Sequence, residues 1–157
     1  MKWLAKILAK PAVTDFLVRQ AKKRPYVHIP ALTGEYMERY WLVPEKPWLP
    51  FAIRIHIIKR PDSDRHLHDH PFNFRTFVLN GMYIEERVDG KAYRKETDTY
   101  KLDATTPHRI RAVFPLNYSG VVSMFILGKR KQVWGFYTDE GKIPYTEYLD
   151  AEKIDSN

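Results

Sequence analysis

From Tyr26 onward, prolines and glycines cut this chain into short runs rich in β-branched and aromatic residues. That pattern constrains the fold more than any other feature, because it reads as an all-β sandwich or barrel. The expected strands are Tyr36–Val43, Phe51–Lys59, Asn73–Leu79, Met82–Val88, Ala92–Lys95, His108–Val113, Val121–Leu127, Gln132–Tyr137 and Tyr145–Tyr148. Asn80-Gly81 and Asp89-Gly90 both carry the chemistry of tight hairpin turns, which predicts a meander over 73–95. Pro44–Pro50 reads as a loop. Alternation within the strands says which faces are covered. In Phe51–Arg60, Phe51, Ile53, Ile55 and Ile57 are apolar, whereas the other face carries Arg54, His56 and Arg60. Val121–Leu127 is apolar at nearly every position, the pattern of a central strand covered on both sides.

The first 25 residues have a different character. Pro11 ends one short helical stretch, and Thr14–Lys23 forms a second, closed by Arg24-Pro25. Trp3, Leu4, Ile7 and Leu8 fall at helical spacing among lysines, which suits a helix docked on its own domain better than one lying on a membrane. The chain therefore divides into a helical N-terminal extension (1–25), a β domain (26–150) and a polar tail (151–157). A length of 157 residues fits one such domain with a real core.

The absence of cysteine excludes disulfides, thiolate nucleophiles and iron–sulfur clusters. It fits a cytoplasmic protein, and no window is apolar enough to span a bilayer. The net charge of +7 is spread over the chain, with local clusters at Lys22-Lys23-Arg24 and Lys129-Arg130-Lys131. This reads as a basic surface, and no specific nucleic acid partner is expected.

The chemistry concentrates in His66-Leu67-His68-Asp69-His70-Pro71. Alternate residues of an extended strand share a face roughly 6.6 Å apart, close enough for two imidazoles to meet on one ion. A run of three spans roughly 13 Å, so a single ion takes a neighbouring pair. The third ligand must come from elsewhere, and His108, with Arg109 and Arg111 alternating away from it, is the natural candidate. Asp69 points off the histidine face and reads as a loop acceptor. His56 reads as structural or as a support for a ligand. Phe72, Phe74 and Tyr83 read as barrel filling. Arg54, Arg75 and Arg109 are candidates for holding an anionic substrate at a barrel mouth. Asp62-Ser63-Asp64 reads as a capped loop, not a calcium site.

His68-x-His70, Gly81 and His108 resemble the cupin superfamily. A closer resemblance, from about Arg24 to Tyr148, is to small cupins of phage and bacterial genomes that carry Leu-His-Asp-His-Pro. It rests on Tyr36-Met37-Glu38-Arg39-Tyr40, His56, Asp62-Ser63-Asp64-Arg65, Leu67-His68-Asp69-His70-Pro71-Phe72, Leu79-Asn80-Gly81-Met82-Tyr83-Ile84-Glu85, His108-Arg109 and Trp134-Gly135-Phe136. The resemblance implies a single cupin jelly-roll barrel and a divalent metal on His68, His70 and His108, with His66 outside the pattern. The glutamate of the usual first motif would fall at Phe74, and the asparagine of the second at Ala112. A set of three histidines without a carboxylate resembles the thiol dioxygenase branch, in which iron(II) keeps positions open for substrate and O₂. Glu85 or Glu86 is the candidate replacement for the carboxylate. The thiol dioxygenase resemblance favours iron(II), with Zn, Ni, Mn or Cu as alternatives; all-histidine ligation by itself does not choose between Fe, Zn, Ni and Cu.

The expected function is a metal-dependent, dioxygenase-like enzyme acting on a small molecule. The alternatives are a non-catalytic ligand-binding or interaction module, and a metal-free sugar epimerase or isomerase with His70 or His108 as base and Tyr83 as acid. A homodimer through the aromatic segment Trp134–Tyr148 is a further expectation by analogy.

Overall fold

The computed structural model describes residues 1–25, 29–31, 34–62 and 66–155. The expected loop residues Ser63, Asp64 and Arg65 lie outside the described residues.

Two helices open the chain, α1 (Lys2–Leu8) and α2 (Pro11–Lys22). The second starts at Pro11 and not at Thr14, because proline with its fixed φ is favoured at the first helical position. The strands follow as β1 (Ile29–Ala31), β2 (Gly34–Val43), β3 (Ala52–Ile58), β4 (Leu67–His68), β5 (Phe72–Asn80) and β6 (Met82–Arg87). They continue with β7 (Gly90–Lys95), β8 (Thr99–Leu102), β9 (His108–Phe114), β10 (Val121–Arg130), β11 (Gly135–Thr138) and β12 (Gly141–Pro144), before helix α3 (Tyr145–Asp155). They form two antiparallel sheets, in the orders β1-β2-β3-β10-β5-β8 and β12-β11-β4-β9-β6-β7. This is the all-β architecture that the strand pattern predicts, in the jelly-roll form that the resemblance implies.

Three expectations are corrected. Asn80-Gly81 is not a hairpin turn: β5 pairs with β10 and β8, β6 pairs with β7 and β9, and the dipeptide carries the chain from one sheet to the other. The meander over 73–95 is therefore broken at this corner. Gly81 has φ +83°, and a Cβ there would sit 2.8 Å from the Phe114 carbonyl oxygen, so the corner requires glycine. Asp89-Gly90 does close a hairpin, with Arg87 opposite Gly90. Tyr145–Tyr148 is the start of α3, not a strand, and that helix continues through 155, into the segment read as a tail. Its aromatic residues resemble strand residues in composition but are used in stacking: Trp134 on Tyr145 at 4.6 Å, and Phe136 on Tyr148 at 3.9 Å between ring centroids. These stacks lie within the chain, on the aromatic segment considered for a homodimer contact.

The two faces of β3 explain its alternation. Ile55 and Ile57 pack with Tyr40, Phe77, Leu79, Val122 and Met124 beneath Ala5, Val18 and Ala21 of the helices. The apolar stripe is thus the outer face, roofed by α1 and α2. Leu4 and Leu8 reach this core, while Trp3 and Ile7 remain exposed. The other face of β3, with Arg54, His56 and Ile58, lines the space between the sheets together with Phe125 and Leu127 of β10. This is why β10 is apolar on both faces: one meets the helices and the other the barrel interior.

Candidate metal centre

His68, His70 and His108 each offer one nitrogen to a cluster whose ligand atoms all lie within 4.8 Å of one another. Such a cluster can hold a metal ion. His68 sits on β4 directly opposite His108 on β9. His70 lies just past the end of β4, where the chain turns into β5, so the run is strand-like for two residues only. His70 Nε2 and His108 Nε2 are 2.7 Å apart. Two donors bound at about 2.1 Å to one ion at a right angle would be separated by about 3 Å, so this spacing suits a shared ion.

The donor chemistry fits a metal as well. Burial lowers the His68 pKa to about 4, with the neighbouring charge of His108 adding to the effect and Asp62 and Asp69 opposing it. Burial, then His108 and His68, pushes His70 well below the ordinary imidazole value in the same direction. Neutral rings with free lone pairs are the form a metal requires. His108 is further oriented: its Nδ1 is 2.8 Å from Glu85 Oε1, which leaves Nε2 facing the cluster. This is the carboxylate–histidine arrangement that fixes the tautomer of a metal-binding imidazole.

Glu85 is fully buried. Its second oxygen accepts from Arg87 Nη2 at 2.9 Å and Arg94 Nε at 2.8 Å. Burial alone would raise its pKa, but the hydrogen bond and charge of His108, with Arg94 and Arg87, outweigh this and bring it to about 2. Glu85 therefore meets the cluster through His108. Glu86 is turned to the other face of β6, where Arg109 Nε donates to it at 2.6 Å. β6 alternates without a break, so Glu85 shares the buried face with Tyr83 and Glu86 takes the other. The bulge lies in β9, where the register shifts between Ile84 and Glu85, and it sets which β9 residues face Glu85.

Asp69, between the two histidines, is fully buried and faces away from them. It accepts from the Gly135 amide (2.8 Å), Gln132 Nε2 (2.9 Å), Tyr137 Oη (3.1 Å) and Lys142 Nζ (2.6 Å). These bonds bolt the His68–His70 corner to β11 and β12. His66 lies apart from the cluster, with Nδ1 2.9 Å from Tyr148 Oη. Phe74 packs edge-on against His70 at 4.8 Å, and Phe136 lies 5.7 Å from His68, so aromatic rings enclose the cluster.

The cluster opens into a cavity of about 1010 Å³ between the sheets. Of the three arginines considered for an anion, Arg54 lines it. Arg75 bonds Thr99 Oγ1 and Arg109 pairs with Glu86. Arg39, Lys129 and Arg130 also line the cavity. The basic run at 129–131 signalled an anion-attracting cluster, whereas Arg39 stood in the sequence only as part of the Tyr36–Tyr40 resemblance, not as a candidate for an anion. Tyr83 is not among the lining residues; its hydroxyl is 2.5 Å from that of Tyr100. Asp62 accepts from the Ile110 amide at 2.6 Å and from the Tyr36 hydroxyl, a role consistent with a capped loop.

The sequence matches no family model and no curated protein. The structure is similar to a cupin 2 conserved barrel domain protein from Rhodopseudomonas palustris, with TM-score 0.54, 14% identity and coverage of 85% of this chain and 86% of that one. It is also similar to iron(II) HppE, with TM-score 0.53 and 15% identity over 68% of this chain, which spans 57% of the HppE chain. A variant of Streptomyces PAC13 with uridine gives TM-score 0.52 at 8% identity, covering 79% of this chain and 88% of that one. Two antiparallel sheets, a histidine cluster between them and these structural likenesses agree that the chain has the cupin fold.

Proposed function

We propose that this chain is a metal-dependent cupin that holds a divalent ion, iron(II) in preference to Zn, Ni, Mn or Cu, on His68, His70 and His108, and acts on a small molecule in the adjoining cavity. The observation that carries the reading is the convergence of three imidazoles on one point beside that cavity. Iron(II) held by three histidines would supply a redox-active Lewis acid with coordination positions left open.

The chain's own residues do the rest. Glu85 holds the proton on His108 Nδ1 and so keeps Nε2 as a lone-pair donor. Asp69 fixes the corner that carries the other two histidines. Phe74, Phe125 and Trp134 give the cavity apolar walls beside the cluster. The structural likeness to iron(II) HppE supports an iron-bearing cupin, at the level of fold. The epimerase reading has less support, because the Tyr83 hydroxyl is occupied by Tyr100 outside the cavity.

Metal analysis of the purified protein tests the proposal. Stoichiometric metal in the wild type, lost in His68→Ala and His70→Ala, is the expected result. Oxygen uptake with a panel of small thiols then separates an oxygenase from a ligand-binding module. A wild type that takes up no iron, zinc, nickel, manganese or copper would overturn the metal reading.

A further inference from the structure

The sheet facing the histidine cluster carries a second polar group. His56 on β3 lines the cavity and is 8% exposed, yet among the described residues neither ring nitrogen has a hydrogen-bond partner. Its ring stacks on Phe125 at 4.2 Å, which fixes its plane. A neutral imidazole carries one N–H donor and one lone pair, and buried polar groups in native proteins are rarely left with both unmet. Ser123, opposite His56 in register on β10, is also fully buried with no partner for its hydroxyl.

The surroundings choose the sign of what would satisfy His56, since it lines the cavity and Ser123 does not. Arg39 lies opposite His56 on β2, and Arg54 is two residues away on the same face of β3. The Arg54 guanidinium is oriented by Trp41, 4.2 Å from its ring centroid, and by Glu45 at 3.1 Å. Lys46, Lys129 and Arg130 complete the cationic lining, against the carboxylates of Glu45 and Asp62. The cavity is thus electropositive even before a metal is counted, and low-dielectric walls strengthen its pull on anions.

We propose that His56, Arg39 and Arg54 form an anion subsite. It takes the carboxylate or phosphoryl head of a small molecule whose other end reaches His68, His70 and His108. Planar guanidinium groups match the oxygens of either head, and the His56 N–H supplies a further donor from the wall between them. The proposal rests on the reading of this cavity as a small-molecule site.

Calorimetric titration with acetate and, separately, inorganic phosphate tests it, in wild type, His56→Leu, His56→Gln, Arg39→Gln and His68→Ala. At least one anion is expected to bind the wild type. Its affinity should fall about tenfold or more in His56→Leu and Arg39→Gln, fall less in His56→Gln, and survive in His68→Ala. Acetate binding alone assigns a carboxylate head; phosphate binding alone assigns a phosphoryl head. Failure of both anions to bind overturns the subsite. So does binding unchanged in both His56 variants, or binding lost only in His68→Ala, which would make the anion a metal ligand. Metal content measured on the same samples keeps the two readings apart. A wild type without metal that still binds anion through His56 sinks the metal centre and leaves the subsite standing. Full metal content in the His56 variants shows that their cavity is folded.

Discussion

Glu85 Oε1 lies 2.8 Å from His108 Nδ1, across the β6–β9 pair, with both side chains buried. A carboxylate in this position raises ligand basicity and holds one tautomer. Glu85→Gln should therefore weaken metal binding by roughly ten- to a hundredfold without abolishing it. Glu85→Ala should in addition destabilise the fold by about 3 kcal/mol, the low end for a broken buried pair, because Arg87 and Arg94 lose a shared buried partner but are themselves partly exposed. Competition titration against a metal chelator, with a thermal melt of each variant, reads both effects. Unchanged affinity in Glu85→Gln would show that His108 is oriented by other means.

Asp69 offers a separate test of the corner. Asp69→Asn keeps the shape but loses the charge that receives Lys142 at 2.6 Å, and forces an amide N–H₂ toward donors. A stability loss of about 3 kcal/mol is expected, as for removal of one partner of a buried ion pair. Metal binding should weaken alongside it, since His68 and His70 flank the residue. Denaturant unfolding of the metal-free variant isolates the structural part. A variant as stable as wild type would contradict this account.

Stability of the metal-free protein should fall in acid. The folded pKa of His68 is about 4, below the ordinary 6.5 that the unfolded chain keeps. Between those values the unfolded chain binds more protons, so this contribution is complete above 6.5 and disappears as pH drops toward 4. His56 and His70 are shifted in the same direction by burial and add to the fall. Glu85, at about 2 against an ordinary 4.5, loses its contribution only below that higher value. Each histidine contributes a slope of up to about 1.4 kcal/mol per pH unit. Urea midpoints at about pH 7.5 and about pH 5 measure the change, and equal midpoints would refute it. Added metal should raise the lower midpoint by mass action.

Gly81→Ala should cost about 1–3 kcal/mol, from a positive φ and a Cβ 2.8 Å from a backbone oxygen. Gly90→Ala, also at positive φ but with nothing within 4 Å, should cost less. Thermal melts rank the two. The reverse order would mean that the corner tolerates displacement of Phe114.

The sequence by itself determined the all-β class and most strand positions, because a period of two is a local property of the backbone and its side chains. It also marked His68, His70 and His108: the clustered histidines drew attention to 66–70, and the resemblance chose among them, although His70 lies beyond the end of β4. Tertiary structure decided which face was inside. The isoleucines of β3 pack outward under α1 and α2, so the polar face with Arg54 and His56 became the cavity wall. Only strand pairing could turn Asn80-Gly81 from a hairpin into a corner between sheets. Alternation along β6 puts Glu85 on the inner face and Glu86 on the outer one, but only the pairing with β9, with its bulge opposite Ile84 and Glu85, could bring Glu85 to His108 and Glu86 to Arg109. Local alternation says that two faces differ; what covers each is set by elements distant in the chain.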